Sequence, residues 1–104
     1  MPKPAIIAKI TAQDGKRDEL AAVFGRVLDS VRADEPGTEV YVMHDDAKDP
    51  NVIWFYELYT DDAALGTHSS SDIMKAVGKE LGALMAGRPE IIRLTPRAGK
   101  GLAV

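Results

Sequence analysis

The sequence predicts an α+β domain in which helices pack on one face of a four-stranded antiparallel sheet. Three observations lead to this prediction. Four short apolar segments have the length and residue types that are typical of strands. Two longer stretches carry apolar residues at the three- and four-residue spacing of a helix. Turn-forming residues separate these segments, so their order along the 104 residues is β-α-β-β-α-β.

The first half of the chain begins with a strand and a helix. In residues 5–13, isoleucine and alanine recur at every second position, which predicts the first strand. The first helix is predicted from Lys16 to about Asp34. Its apolar residues form one continuous stripe, made of Leu20, Val23, Phe24, Val27, Leu28 and Val31. Pro36-Gly37 then ends the helix and turns the chain.

The second and third strands are predicted to form a hairpin. In residues 39–45, Val40, Val42 and His44 would point to one face of a strand, and Tyr41 and Met43 to the other. Residues 46–51 are turn-forming. Residues 52–59 are rich in β-branched and aromatic residues, which favour a strand. Trp54 and Tyr56 point to one face of the third strand, whereas Phe55, Glu57 and Tyr59 point to the other. Both faces are largely apolar, so the sequence alone does not decide which of them meets the helices.

A short helix, a second amphipathic helix and a last strand complete the predicted domain. Thr60 or Asp61 can cap the short helix, which carries His68 towards its end. The next helix has an apolar stripe formed by Ile73, Val77, Leu81 and Leu84, with Met74 and Met85 beside it. The last strand contains Ile91, Ile92 and Leu94. We therefore expect a single domain over residues 1–104, with a core at about 5–96 and a C-terminal tail at 97–104.

The composition argues against several classes of protein. Thirteen basic and sixteen acidic residues give a net charge of −3, which offers no electrostatic basis for binding nucleic acid or an anionic membrane. No apolar run approaches the roughly 20 residues that span a bilayer. The absence of cysteine excludes disulfides and thiolate chemistry, and two histidines make a zinc site improbable. We expect a cytoplasmic protein.

The predicted sheet would have one apolar face without cover. Helices on one face leave the other exposed, and an apolar patch of that size exceeds what a monomer usually exposes. A second copy packed sheet against sheet would cover it, so we expect a homodimer.

Several short motifs resemble those of the antibiotic biosynthesis monooxygenase (ABM) family of small dimeric α+β barrel proteins. The motifs occur in the family's order: Glu35-Pro36-Gly37, Tyr41, Asp49-Pro50-Asn51, Glu57 and Tyr59, then Ala64-Leu65 with His68 and Ser71. With the order of elements and the length, the resemblance covers about residues 5–96. The chain departs from the family pattern at two points. Tyr59 replaces a tryptophan, and Asp72-Ile73-Met74 lies where many members carry a second histidine, which argues against a two-histidine mechanism.

The β-α-β-β-α-β order is that of the ferredoxin-like or split βαβ fold, and the resemblance implies its assembly as a dimeric α+β barrel. It also implies oxidation of a quinol-like or polyphenolic substrate by O2 without metal, flavin or haem. A deprotonated phenol can itself reduce oxygen, so the protein must bind an apolar ring, stabilise an oxyanion and exclude water.

Six residues are the candidates for such a site. On the family pattern, His68 would be the general base or the oxyanion partner. The candidates for substrate binding are Trp54, Tyr56, Tyr41, Glu57 and Phe24, although each can equally be a packing residue. Glu57 in an apolar strand needs a partner, for which we expect Arg93, Lys9 or a residue of a second copy.

Two alternative functions stay open from the sequence. One is a non-catalytic dimer that binds a small apolar molecule, because a fold and short motifs do not establish chemistry. The other is a haem-binding relative, in which His44 or His68 would ligate the iron.

Overall fold

The computed structural model of the protein describes residues 3–102 and confirms the predicted fold class. The elements are β1 (Ala5–Thr11), α1 (Arg17–Asp34), β2 (Thr38–Asp45), β3 (Val52–Tyr59), α2 (Asp62–Ser69), α3 (Asp72–Leu84) and β4 (Glu90–Leu94). The strands form one antiparallel sheet in the order β2-β3-β1-β4, which is the ferredoxin-like arrangement.

Helix α1 supplies much of the hydrophobic core. Its buried residues are Leu20, Val23, Phe24, Val27 and Val31, which all belong to the predicted stripe. Phe24 meets Phe55 of β3 edge to face, with ring centroids 4.8 Å apart. Full burial of a leucine or phenylalanine side chain contributes about 1.5–3 kcal/mol, so this stripe fixes α1 on the sheet.

Side-chain caps determine where the two shorter helices begin. The Asp61 carboxylate accepts a hydrogen bond from the Ala64 backbone N–H at 2.8 Å, at the start of α2. The Ser71 hydroxyl accepts one from the Met74 backbone N–H at the start of α3. Such caps satisfy backbone N–H groups that have no partner within a helix. Because α2 begins at Asp62, His68 lies in its last turn.

The strand register defines two faces of the sheet, which we call the inner face (towards the helices) and the outer face. Across the inner face, Tyr41 of β2, Glu57 of β3, Ile6 of β1 and Arg93 of β4 form one row of paired residues. On the outer face, Trp54 lies between His44 and Lys9. The register thus directs Phe55, Glu57 and Tyr59 to the core, and Trp54 and Tyr56 away from it.

The outer face carries exposed apolar residues. Ile92 is 52% exposed, Leu94 40% and Val42 43%, while Trp54 and Tyr56 are half-buried. None of the helices within residues 3–102 combines the length and the apolar character needed to cross a bilayer.

Candidate active site

A cavity of about 500 Å³ lies between the inner face of the sheet and the helices. Its walls are mostly apolar, with Ile6 and Phe55 from the sheet and Phe24, Met74 and Leu81 from the helices. Its polar side chains are Tyr41, Glu57, His68, Ser69 and Arg93. An apolar cavity of this size with a few convergent polar groups is the usual form of a small-molecule site.

His68 is held at the cavity wall by aromatic packing. Its ring centroid lies 5.0 Å from that of Tyr41 and 5.7 Å from that of Tyr59, and the residue is buried. The Nε2 atom has no hydrogen-bond partner among residues 3–102, and it is not enclosed by protein. Because His68 lines the cavity, Nε2 is the ring atom available to a bound molecule.

The other ring nitrogen of His68 faces Glu35. His68 Nδ1 lies 2.9 Å from Glu35 Oε1, and the two side chains are only 8% and 5% exposed. Thr38 Oγ1 also donates to this carboxylate oxygen, at 3.1 Å. An ionised carboxylate can only accept hydrogen bonds, so an ionised Glu35 would require the ring hydrogen on Nδ1.

Glu57 is a second carboxyl group at the cavity wall. It is 7% exposed, and Tyr59 Oη donates a 2.5 Å hydrogen bond to its Oε1. Burial raises the pKa of Glu57, although the Tyr59 hydrogen bond and the nearby His68 oppose that rise. The expected partners Arg93 and Lys9 are not used: Arg93 pairs with Asp62, and Lys9 lies 3.7 Å from Glu90.

Tyr41 offers a hydrogen-bond donor to the cavity. Burial raises its pKa, and the negative charges of Glu57 and Glu35 raise it further. The phenol therefore keeps its proton over the physiological pH range. No other residue in 3–102 forms a hydrogen bond with this hydroxyl, which leaves it free to donate to a bound oxygen atom.

The structure brings four of the six candidate residues together. Phe24, Tyr41, Glu57 and His68 all line the cavity. Trp54 and Tyr56 do not line it, because β3 turns them to the outer face, where they border a shallow open depression. His44 borders the same depression, with Nδ1 3.2 Å from the Trp54 carbonyl oxygen. Of the two histidines, only His68 reaches the cavity.

Two polar residues of this region were not among the candidates, namely Glu35 and Tyr59. The motif Glu35-Pro36-Gly37 was visible in the sequence, but no local spacing connects it with His68, which is 33 residues away. Within residues 3–102, no group of three or more histidine, aspartate, glutamate or cysteine side chains is arranged to hold a metal ion.

The raised pKa of Glu57 predicts a pH dependence of stability. The folded state keeps the Glu57 proton at pH values where the unfolded chain has lost it, so stability falls as pH rises above the ordinary value of about 4.5. We expect the free energy of unfolding of wild type, relative to Glu57→Gln, to decrease with rising pH in urea titrations.

Glu80→Gln is the matched control for that experiment. The Glu80 carboxylate is exposed, and the hydrogen bonds from Arg26 lower its pKa. The wild type should therefore gain stability relative to Glu80→Gln as pH rises, the opposite sign. A pH-independent difference between wild type and Glu57→Gln would contradict a raised pKa at Glu57.

The protein is a small α+β domain with an apolar cavity between its sheet and its helices. Residues 5–80 match the antibiotic biosynthesis monooxygenase family, and the chain belongs to that family. This confirms the resemblance drawn from the short motifs. No curated protein matches the chain.

Solved structures show the same fold. A candidate antibiotic biosynthesis monooxygenase from Caulobacter crescentus is 32% identical with a TM-score of 0.88, and the match covers 93% of this chain and 92% of that one. The protein PA3566 of Pseudomonas aeruginosa is 28% identical with a TM-score of 0.85, covering 94% and 97%. A Nitrosomonas europaea protein of unknown function is similar in fold, with 23% identity, a TM-score of 0.83 and coverage of 100% and 98%.

Proposed function

We propose that this protein is a monooxygenase that oxidises a quinol-like or polyphenolic aromatic substrate with O2 and needs no metal, flavin or haem. The observation that carries the proposal is the position of His68, whose Nε2 is available at the wall of an apolar cavity. Membership of the monooxygenase family supports the reaction class.

The cavity suits a planar ring with hydroxyl groups. Phe24, Phe55 and Ile6 supply apolar contact for the ring. Tyr41 and Glu57 are neighbours across β2 and β3, so a hydroxylated ring edge would meet a donor and an acceptor side by side. These polar groups would fix the orientation of the substrate, whereas the apolar walls would exclude water from it.

The proposed reaction begins with a proton transfer to His68. Nε2 takes the proton of a substrate hydroxyl, and the resulting phenolate is electron-rich enough to reduce O2. The Tyr41 hydroxyl donates a hydrogen bond that stabilises the developing oxyanion. One oxygen atom enters the product and the other leaves as water, so a hydroquinone and O2 give a hydroxyquinone and water.

Oxygen uptake with a panel of hydroquinones and naphthols tests the proposal. We expect uptake with at least one of them, product mass increased by one oxygen atom less two hydrogens, and no dependence on metal or flavin content measured in the same sample. An absorption band of haem in the purified protein would favour the haem-binding alternative. Binding of these compounds without any turnover would favour a non-catalytic binding dimer.

We also propose that the protein is a cytoplasmic homodimer in which two outer faces pack together. The exposed Ile92, Leu94 and Val42, with the half-buried Trp54 and Tyr56, form an apolar surface of the kind that a second copy covers. A two-fold contact of this type uses the same surface on both copies, so one apolar face is sufficient to build it.

A charge on the outer face should dissociate the dimer. We expect Ile92→Asp to sediment as a monomer at micromolar concentration, where wild type sediments as a dimer, because an unpaired carboxylate would be buried in the interface. Ile91→Asp is the matched control, since Ile91 is 59% exposed but lies on the inner face at the cavity. Sedimentation of Ile92→Asp as a dimer would contradict this assembly.

A further inference from the structure

The contact between His68 and Glu35 has the geometry of a buried acid–imidazole pair. Both side chains are more than nine-tenths buried, and Nδ1 and Oε1 are 2.9 Å apart. A buried carboxylate is costly unless it is hydrogen-bonded or paired with a cation. Within residues 3–102, Glu35 receives only two such contacts, from His68 Nδ1 and Thr38 Oγ1, and both go to Oε1. Its Oε2 is buried and has no hydrogen-bond partner in the described part of the chain.

The turn that carries Glu35 is built to hold the carboxylate against helix α2. Glu35 caps α1, with its backbone N–H donating to the Val31 carbonyl at 3.1 Å. Its own carbonyl accepts from the Thr38 N–H at 3.1 Å, which closes the turn. The Glu35 side chain therefore extends from a backbone segment that hydrogen bonds hold on both sides.

The glycine of the same turn lets α2 approach closely. A Cβ atom at Gly37 would lie 2.6 Å from the Ala64 Cβ, well inside van der Waals contact. Ala64 lies one helical turn before His68, so the two face the same side of α2. The lack of a side chain at Gly37 thus brings this side of α2, and with it the imidazole, within hydrogen-bond distance of Glu35.

We propose that Glu35 is a positioning residue that keeps the hydrogen of His68 on Nδ1 and leaves Nε2 as the proton acceptor at the cavity. Which nitrogen of a neutral histidine carries the hydrogen is set by the partner of the other nitrogen. A second role rests on the proposed function: the same carboxylate stabilises the imidazolium that forms when Nε2 takes a proton from the substrate.

Nitrogen NMR of the histidine rings tests the first part without any substrate. The protein has two histidines, and His44→Gln assigns the signals of His68. At a pH where the ring is neutral, we expect a protonated Nδ1 and an unprotonated Nε2 in wild type. In Glu35→Leu, which has similar volume but no acceptor, we expect a substantial fraction of the hydrogen to move to Nε2. Retention of the wild-type tautomer in Glu35→Leu would overturn the proposal.

Kinetics test the second part with a variant that keeps the size and an acceptor oxygen. With the quinol that gives the fastest oxygen uptake, we expect Glu35→Gln to lower kcat at least about tenfold, a part of the roughly 10²–10⁴-fold that a general base contributes. KM should change less than about twofold, because Glu35 does not line the cavity. Glu80→Gln removes an exposed carboxylate that does not line the cavity and should leave both constants unchanged.

The outcomes separate this inference from the proposed function. An unchanged kcat in Glu35→Gln would overturn the electrostatic role of Glu35. Should Glu35→Leu fail to fold, the tautomer and kcat of Glu35→Gln decide whether Glu35 positions His68. A wild-type tautomer together with a wild-type kcat in Glu35→Gln would overturn the proposal. Should wild type oxidise no quinol, the oxygenase proposal fails, but the NMR result still decides whether Glu35 sets the tautomer.

Discussion

His68→Ala is expected to lower kcat for oxygen uptake with the best quinol substrate by about 100-fold or more, the scale on which an enzyme loses a general base. The variant removes the only imidazole at the cavity, while Tyr41 and Glu57 keep their places on the sheet. Substrate binding should weaken less, because the apolar walls are unchanged. An oxygen electrode at saturating substrate measures the effect.

His44→Ala is the matched control for this prediction. It removes the other histidine, which borders the outer depression rather than the cavity, and should change kcat less than about twofold. Tyr41→Phe gives a second comparison, since it deletes the proposed oxyanion donor but leaves the base. A His68→Ala enzyme with the wild-type rate would contradict general-base catalysis by His68 and would direct attention to Glu57.

The second large effect is expected at Gly37. Gly37→Ala places a methyl group 2.6 Å from the Ala64 Cβ, so α2 must shift away from the turn. Overpacking of this kind costs about 1–3 kcal/mol. The shift would also lengthen the contact between His68 and Glu35, so activity should fall together with the free energy of unfolding, measured by urea denaturation.

A compensating substitution provides a sharp control. Ala64→Gly removes the methyl group that Gly37→Ala would strike, so the double variant should be more stable than the sum of the two single effects predicts. Gly78→Ala adds a methyl group in α3 where nothing lies within 4 Å, and should stabilise the protein by about 0.5–1 kcal/mol. Strict additivity of the changes at Gly37 and Ala64 would contradict a direct contact.

The order of the elements could be predicted because the apolar residues of the helices follow a regular spacing. Helix α1 shows the 3.6-residue stripe without interruption, and the observed bounds, Arg17–Asp34, differ from the prediction by one residue. The caps Asp61 and Ser71 also lie where polar residues precede helical patterns. Period, caps and turns agree locally with the fold, so local reasoning was sufficient.

The face of β3 that meets the helices could not be read from β3 itself, because both of its faces are apolar. The answer depends on pairing with β1, where Lys9 is the neighbour of Trp54 and Ala8 the neighbour of Phe55. Because Lys9 lies on the outer face, its pairing places Trp54 on that face as well. Register is a property of two strands, so the face on which Trp54 and Tyr56 lie could not be predicted from the sequence of β3 alone.

The Glu35–His68 pair lies beyond sequence reasoning for a similar reason. His68 could be singled out mainly because it matches the family motif, near the end of a short helix beside an aromatic strand. Glu35 ends a different helix, and only the close packing of α2 on the turn brings its carboxylate to Nδ1. Contacts between distant segments follow from tertiary packing, which leaves no periodic signal in either segment.

The single tryptophan has a practical consequence. Trp54 is the chain's only indole, and its Nε1 donates a 2.7 Å hydrogen bond to Asp46 while Lys9 lies 5.7 Å from the ring. Since the indole lies on the outer face, on the opposite side of the sheet from the cavity, the intrinsic fluorescence of this protein would respond to association of its subunits rather than to direct contact with a molecule at His68. Trp54 is thus an intrinsic fluorescence probe for the proposed dimer, and the sheet separates it from the proposed site at His68.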